Sequence, residues 1–278
     1  NMNSGSGGGA SGGTAPNSQS GSAVTSVTLN ANTLSLAGYT FSGWATSNPS
    51  TTVVYTNLQV ISITGNTTLN LYPVWTALTY SITYNNANSG SGGGASGGTA
   101  PNSQSGSGAG SVSLNANTLS LVGYTFAGWA TSNGSITVAY TNSQSISITS
   151  NTTLNLYPVW NGNTYTVTYD ANGGTVTNPS DSFTYGTSSP IVFPTPTRSN
   201  TSSANYSFTN WYDASTGGNV VSTNYTPTAN ITLYAHWTTS LTWTLTSANQ
   251  SYTSGGSVPT LTATASPSAG LSSGSLAC

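Results

Sequence analysis

The segment Gly38-Tyr-Thr-Phe-Ser-Gly-Trp44 recurs 85 residues later as Gly123-Tyr-Thr-Phe-Ala-Gly-Trp129. The match extends well beyond this segment: residues 3–75 recur without a gap as residues 88–160, and 61 of the 73 positions are identical. Self-similarity at a fixed long period is typical of a chain built from stacked copies of one module. We therefore interpret the chain as a tandem array whose modules supply length, spacing or surface rather than one concave active site.

A third, diverged copy follows the first two. The segment Tyr80-Ser-Ile-Thr-Tyr84 returns as Tyr165-Thr-Val-Thr-Tyr169, and the aromatic segment returns as Tyr206-Ser-Phe-Thr-Asn-Trp211. This copy lacks the Gly/Ser-rich run and contains every Asp, Arg and His of the chain. Each copy closes on a tryptophan, at Trp75, Trp160 and Trp237.

The composition excludes several classes of protein. Charged residues make up 1% of the chain, against about 25% in an average soluble domain. Aromatic residues reach 10%, so the chain does not resemble the disordered class, which has high net charge and few aromatics. No basic patch is present for nucleic acid, and no apolar run approaches the ~20 residues of a membrane span. The lone cysteine, Cys278, allows no disulfide within one chain.

The local patterns predict a mainly β fold. Short stretches in which apolar residues alternate with Ser, Thr or Asn, such as Tyr80 to Tyr84, recur along the chain, and Gly- and Asn-rich turns separate these stretches. Strict alternation would place Trp44 on the opposite face from Tyr39 and Phe41, so we expect a β-bulge at Gly43 that returns Trp44 to the core side. We interpret the recurring aromatics as structural core, the alternative being that the tryptophans form a sugar-stacking platform: Tyr39, Phe41, Trp44, Trp75, Tyr124, Phe126, Trp129, Trp160, Tyr206, Phe208, Trp211 and Trp237.

Three ordered motifs carry a family resemblance. The succession Thr164-Tyr-Thr-Val-Thr-Tyr-Asp-Ala-Asn-Gly-Gly174, a Tyr-x-Phe-x-x-Trp element, and Ile231-Thr-Leu-Tyr-Ala-His-Trp237 resembles the internalin-type B repeat, also called the Listeria-Bacteroides repeat. The resemblance implies tandem β-grasp-like modules, in an elongated array, on secreted or cell-wall-attached bacterial proteins that act as stalks or adhesive spacers. The first two copies depart from the pattern, because a Gly/Ser-rich run replaces the Asp-Ala-Asn-Gly-Gly turn.

These patterns divide the chain into four parts. Module 1 covers residues 1–78 with its first strand missing, module 2 covers residues 79–163, and module 3 covers residues 164–238. Residues 239–278 weakly resemble the opening of a bacterial immunoglobulin-like module, a partial β-sandwich-like segment, since some 40 residues are too few for a sandwich of ~100 residues.

The residue inventory predicts no catalytic, cofactor-binding or metal site. The chain has one His, three acidic residues and neither Glu nor Lys, whereas hydrolysis needs a nucleophile with a base or a pair of carboxylates. Eight Asn-x-Ser/Thr sequons permit glycosylation without indicating it: Asn66, Asn133, Asn151, Asn200, Asn205, Asn224, Asn230 and Asn249.

Two functions are compatible with these observations. The first is an extracellular structural protein, a cell-surface stalk or a filament or sheath subunit whose partner is a further copy of itself. The second is an adhesin that binds surface glycans through repeated Tyr and Trp surfaces. Because module 1 lacks its first strand, we also hypothesise that an alternating segment from another chain fills the gap, with Leu241, Trp243 and Leu245 as its apolar face. The competing interpretation is that the chain is a segment of a longer protein whose missing strand lies upstream.

Overall fold

The computed structural model of the protein describes residues 2–241. Within that range the chain forms strands and no helix, so the predicted mainly β class is confirmed. The strands are β1 Ser26–Thr28, β2 Tyr39–Ala45, β3 Val60–Ser62, β4 Tyr72–Ala77, β5 Thr79–Tyr84, β6 Ala87–Asn88, β7 Gly93–Gly94, β8 Gln104–Ser107, β9 Ser111–Ser113, β10 Tyr124–Ala130, β11 Ser145–Ser147, β12 Thr152–Gly162, β13 Thr164–Asp170, β14 Ser180–Thr184, β15 Ala204–Tyr212 and β16 Ile231–Leu241.

Modules 2 and 3 are each built on a four-stranded sheet. The strand order is β10-β12-β5-β8 in module 2 and β15-β16-β13-β14 in module 3. In both sheets the first strand of the module lies parallel to its last strand, in the centre, and the outer pairings are antiparallel. The β-grasp-like description stays an expectation, because no helix packs across these sheets in residues 2–241.

Module 1 has a smaller sheet. Strand β4 pairs with β2 in a two-stranded sheet, and β1 pairs with β3 in another. Strand β4 is shorter than its counterpart β12, which begins five residues earlier in the repeat, at Thr152 rather than at the position of Tyr72. The five additional residues of β12 are those that pair with β5, so the length of the closing strand depends on the presence of the first strand.

One residue joins each module to the next and bonds to both. Leu78 donates its N–H to Gly38 O at 2.8 Å, and its carbonyl accepts from Gly108 N at 2.9 Å. Asn163 repeats the arrangement at the second junction, with bonds of 2.8 Å to Gly123 O and 3.1 Å from Tyr185 N. The last strand of one module therefore continues directly into the first strand of the next.

The predicted bulge is present. The ladder register between β2 and β4 shifts between Phe41 and Gly43, where Gly43 has a φ of 149°. The bulge turns Trp44 to the core side, where it is 5% exposed. A Cβ on Gly43 would lie 2.6 Å from Tyr55 O, so the close approach of the next backbone segment requires glycine here.

The Gly/Ser-rich run is an ordered loop held by two buried polar side chains. Asn88 is fully buried; its Nδ2 donates to Ser135 O at 2.8 Å and its Oδ1 accepts from Gly134 N at 2.9 Å. Ser91 Oγ accepts from Trp160 N at 2.7 Å. The sequence does not single out these two anchors.

Candidate functional site: an open strand groove in module 1

In module 2 the first strand, β5, closes the core. Ile82 is fully buried and Tyr84 is 6% exposed, with its ring 5.1 Å from that of Trp129 in an edge-on contact. The Tyr84 hydroxyl donates to Gln104 Oε1 and accepts from Asn115 N at 2.7 Å. Burial raises the pKa of Tyr84 above its ordinary value, since the charged form would lose solvation.

Backbone and glycine contacts fix both ends of β5. At its start, Thr79 N donates to Asn151 Oδ1 at 2.9 Å. At its end, Asn85 N donates to Leu156 O at 2.8 Å. A Cβ on Gly106 of the neighbouring strand would lie 2.8 Å from the Tyr80 hydroxyl, so the absence of a side chain at Gly106 makes room for the tyrosine ring.

Module 3 repeats this arrangement with different polar partners. Val167 is fully buried, and Tyr169 is 3% exposed with its ring 5.1 Å from that of Trp211. Its hydroxyl donates to Asp181 Oδ2 at 2.9 Å. Burial, together with that hydrogen bond and the charge of Asp181, holds the pKa of Tyr169 well above its ordinary value.

Module 1 has a groove at the same place. Among residues 2–241, no strand pairs with residues 67–71, which correspond to the part of β12 that pairs with β5. The groove between residues 67–71 and residues 15–19 has a volume of about 410 Å³. Trp44 and the aliphatic side chains of Leu29, Ile61 and Ile63 contribute to its lining, which contains no ionisable side chain.

The core residues that β5 covers in module 2 are less buried in module 1. Leu156 and Ile148 are 0% and 2% exposed, whereas their counterparts Leu71 and Ile63 are only partly buried. Leu69 is 37% exposed. The first strand therefore accounts for the difference between two cores of nearly identical sequence.

The groove keeps the groups that hold β5 in module 2. Gln19 occupies the position of Gln104, donates to Thr28 O at 2.8 Å and accepts from Asn30 N at 3.1 Å. Gly21 stands at the position of Gly106, and a Cβ there would meet nothing closer than Val24 at 3.6 Å. Asn66, at the position of Asn151, is exposed. The partners of a tyrosine hydroxyl and of a strand N-terminus are thus in place.

A comparison with known protein families matches the Listeria-Bacteroides repeat domain three times, at residues 9–70, 80–155 and 165–236. The chain belongs to the Listeria-Bacteroides repeat family. Members of this family are typical of bacterial surface proteins, and the predicted family and its three tandem copies are confirmed. No curated protein and no solved structure matches the chain. The part of the chain that the structure describes contains no helix long and apolar enough to cross a membrane.

The tryptophans of the repeats lie in the cores. Trp44, Trp129 and Trp211 are 5%, 0% and 2% exposed, and Trp75 and Trp160 are both 6% exposed. The other residues predicted as core are half-buried: Tyr39, Phe41, Tyr124, Phe126, Tyr206, Phe208 and Trp237.

Two of these half-buried tyrosines also reach the next repeat. A Cβ on Gly108 would lie 2.6 Å from the Tyr39 hydroxyl, and the Tyr124 ring lies 5.5 Å from that of Tyr185. Tyr39 and Tyr124 are therefore residues of the junction between repeats as well as of the core.

The ionisable side chains of the third repeat have local partners. Asp170 Oδ1 accepts from Asn172 N at 2.8 Å within a turn, and Asp213 Oδ1 accepts from Asn219 N at 2.7 Å. The bonds from Asn219 lower the pKa of Asp213. His236 Nε2 lies 2.9 Å from Ala214 O. Within residues 2–241, no three His, Cys, Asp or Glu side chains are grouped so that they could hold a metal ion.

The remaining predicted sites lie at the surface or outside the described residues. Leu241 lies in β16, paired with Ala204, while Trp243 and Leu245 lie outside the described range. Residues 242–278, the rest of the predicted immunoglobulin-like segment, are also outside it. Of the sequons, Asn249 is outside the described range, Asn205 is half-buried, and the others are exposed: Asn66, Asn133, Asn151, Asn200, Asn224 and Asn230.

Proposed function

We propose that the protein is an extracellular, non-enzymatic stalk whose repeats carry tension along the chain. The observation that supports this proposal best is the parallel pairing of the first and last strands within a repeat. In module 2, residues Tyr80 to Tyr84 of β5 pair with Thr152 to Leu156 of β12. In module 3, residues 167–170 of β13 pair with residues 231–234 of β16.

This pairing determines how a pulling force acts. Tension enters module 2 at the start of β5, through Leu78, and leaves at the end of β12, through Asn163. Because the two strands are parallel neighbours, the force pulls them past each other along their length. All of the ladder hydrogen bonds between them are then loaded together rather than one after another, which makes the repeat resistant to extension.

Burial of the tryptophans favours this proposal over a glycan-binding adhesin. A sugar-stacking platform needs aromatic rings whose faces are open to solvent, and Trp44, Trp129 and Trp211 are at most 5% exposed. Their positions support a structural role, in which aromatic burial stabilises each repeat. The family to which the chain belongs, typical of bacterial surface proteins, supports an extracellular location.

Single-molecule force measurements test the proposal. In these measurements the full chain carries handles at its two ends. We expect two extensions at high force, from modules 2 and 3, and one at low force, from module 1. Module 1 should open first because its β4 pairs only with β2 within the described residues. An 85-residue repeat releases roughly 280 Å of chain at about 3.3 Å per residue, less the folded end-to-end distance.

A matched control changes the direction of loading within the same repeat. In a Ser132→Cys, Asn155→Cys, Cys278→Ser variant the handles are attached two residues after the end of β10 and two residues before Tyr157 of β12, the residue that pairs with Ala130 at the end of the antiparallel ladder. Pulling there separates the strands one hydrogen bond at a time, so module 2 should open at a lower force. Equal forces in the two geometries would contradict the proposal.

A further inference from the structure

We propose that a pocket on the surface of module 3 binds an acidic saccharide, a sugar that carries a carboxylate or a phosphate. The pocket is open to solvent and has a volume of about 640 Å³. Its lining includes Arg198, the only Lys or Arg of the chain, and His236, the only His. The inference goes beyond the proposed stalk, and it holds whether or not the repeats carry tension.

The pocket exists because the turn after the first strand is short in module 3. In module 2 the Gly/Ser-rich run of residues 89–98 fills the corresponding space, and a Cβ on Gly90 would overlap Gly134 O in the facing loop. In module 3 the turn of residues 172–174 replaces the run, and a Cβ on Gly217 of the facing loop would meet nothing within 4 Å. The space between this turn and this loop is therefore free to hold a ligand.

Arg198 is positioned to bind an anion. Its guanidinium carbon lies 3.9 Å from the centre of the Tyr206 ring, and its Nη1 donates to Asn172 O at 3.4 Å. Stacking on a ring occupies the face of the guanidinium and leaves N–H groups at its edge able to donate. Among the described residues that line the pocket none is acidic. Since a guanidinium binds carboxylate and phosphate oxygens through paired N–H groups, the pocket favours an anion of this kind.

The backbone of Trp237 offers a place for a hydroxyl group. In module 2 the equivalent Trp160 donates its N–H to Ser91 Oγ at 2.7 Å, and that hydroxyl donates to Trp160 O at 3.1 Å. Trp237 has the same place in its ladder as Trp160, and it lines the pocket. Its only side-chain hydrogen bond within residues 2–241 is the one that its own Nε1 donates to Ala171 O. A ligand hydroxyl can therefore take the place that the serine has in module 2.

Together these features favour a hydroxylated anion over a neutral sugar or a simple anion. The acid group binds Arg198, and one hydroxyl binds the backbone of Trp237. Further hydroxyl groups of the ligand can bond to the polar side chains of the lining, which are Ser215, Thr216 and Thr239. The His236 ring, which also lines the pocket, is held by stacking on Tyr212 with 3.8 Å between ring centres. A neutral sugar would lack the contact with the guanidinium, and a simple anion would lack the hydroxyl contacts.

The test is a titration of the full chain with three sugars, followed by the NMR signals of its backbone amides. The two acidic sugars are methyl glucuronide and glucose 6-phosphate, and methyl glucoside is the neutral control. We expect saturable shifts at residues 172–174, 215–217 and 236–239 with at least one acidic sugar, and the tighter of the two identifies the acid group. Acetate and inorganic phosphate should each bind at least about fivefold more weakly than the sugar with the same acid group, because they lack the hydroxyl contacts.

Arg198→Leu is the matched variant, because Leu36 and Leu121 have the corresponding positions in modules 1 and 2. Like the Arg198 guanidinium beside Gly173, these two side chains approach the glycine of their own repeat. The variant should bind the acidic sugar at least about tenfold more weakly, since the charge-assisted hydrogen bonds are lost; unchanged amide signals in β13 and β14 check its fold. No saturable binding of either acidic sugar, equal binding of methyl glucoside, or unchanged binding by the folded variant would overturn the inference.

Discussion

Leucine-to-alanine substitution at one repeat position should have very different effects in modules 1 and 2. Leu156 is fully buried beneath β5, and Leu71 is its partly exposed counterpart in the groove. Removing three carbon groups costs about 2.4 kcal/mol at ~0.8 kcal/mol each, and the cavity left in a closed core raises this to about 3–4 kcal/mol for Leu156→Ala. Water reaches the Leu71 site, so Leu71→Ala should cost only about 1 kcal/mol, half of the transfer energy with no cavity.

Native-state hydrogen exchange resolves the two modules within one molecule. The two substitutions should differ in cost by about 2 kcal/mol. Leu156→Ala should therefore raise the local opening constant of its module about thirtyfold more than Leu71→Ala raises that of module 1. Exchange is followed at the amides of β12 for Leu156→Ala and of β4 for Leu71→Ala. Equal losses of protection in the two variants would refute the reasoning, because they would show that the core of module 1 is closed.

Three other substitutions test the fold. Gly128→Ala should destabilise module 2 by more than about 2 kcal/mol, because the new Cβ would lie 2.6 Å from a backbone oxygen. Gly93→Ala, whose Cβ would have no neighbour within 4 Å, should cost only about 1 kcal/mol. Denaturant unfolding of the two variants compares these costs. Asn88→Ala leaves several buried backbone groups without partners and should cost about 2–4 kcal/mol, against less than about 0.5 kcal/mol for the exposed Asn86→Ala. The raised pKa of Tyr169 stabilises the fold below the ordinary tyrosine pKa of about 10, and this contribution disappears as pH rises through the folded pKa. Melting temperatures between pH 8 and 11 should therefore fall more steeply for the wild type than for Tyr169→Phe.

The repeat and its bulge could be predicted from the sequence. Both depend on local patterns: identity at a fixed period, alternation of apolar residues, and a glycine between Phe41 and Trp44. The contacts between one module and the next could not be predicted. Tyr39 and Tyr124 were predicted as core residues, but the sequence does not show that the turn of the next module approaches them closely enough to form a junction.

The polar residues of the groove could not be singled out from the sequence. Gln19 and Asn30 are identical to their counterparts Gln104 and Asn115. Most other positions are also identical between the two copies, so identity does not distinguish these residues from the rest. In module 2 it is the hydroxyl group of Tyr84 that gives Gln104 and Asn115 their role, and the sequence does not show that these three residues meet. The extension of β16 to Leu241 was also not predicted, because alternation alone does not distinguish the end of one strand from the start of another.

Amide hydrogen exchange of the unmodified chain tests most directly whether the first strand of each repeat closes its sheet. Residues 152–156 pair with β5, and residues 67–71 have the corresponding sequence without a ladder partner in the described range. We predict strong protection of the ladder amides in residues 152–156 and exchange close to that of an unstructured peptide in residues 67–71. Comparable protection of the two segments would contradict the account.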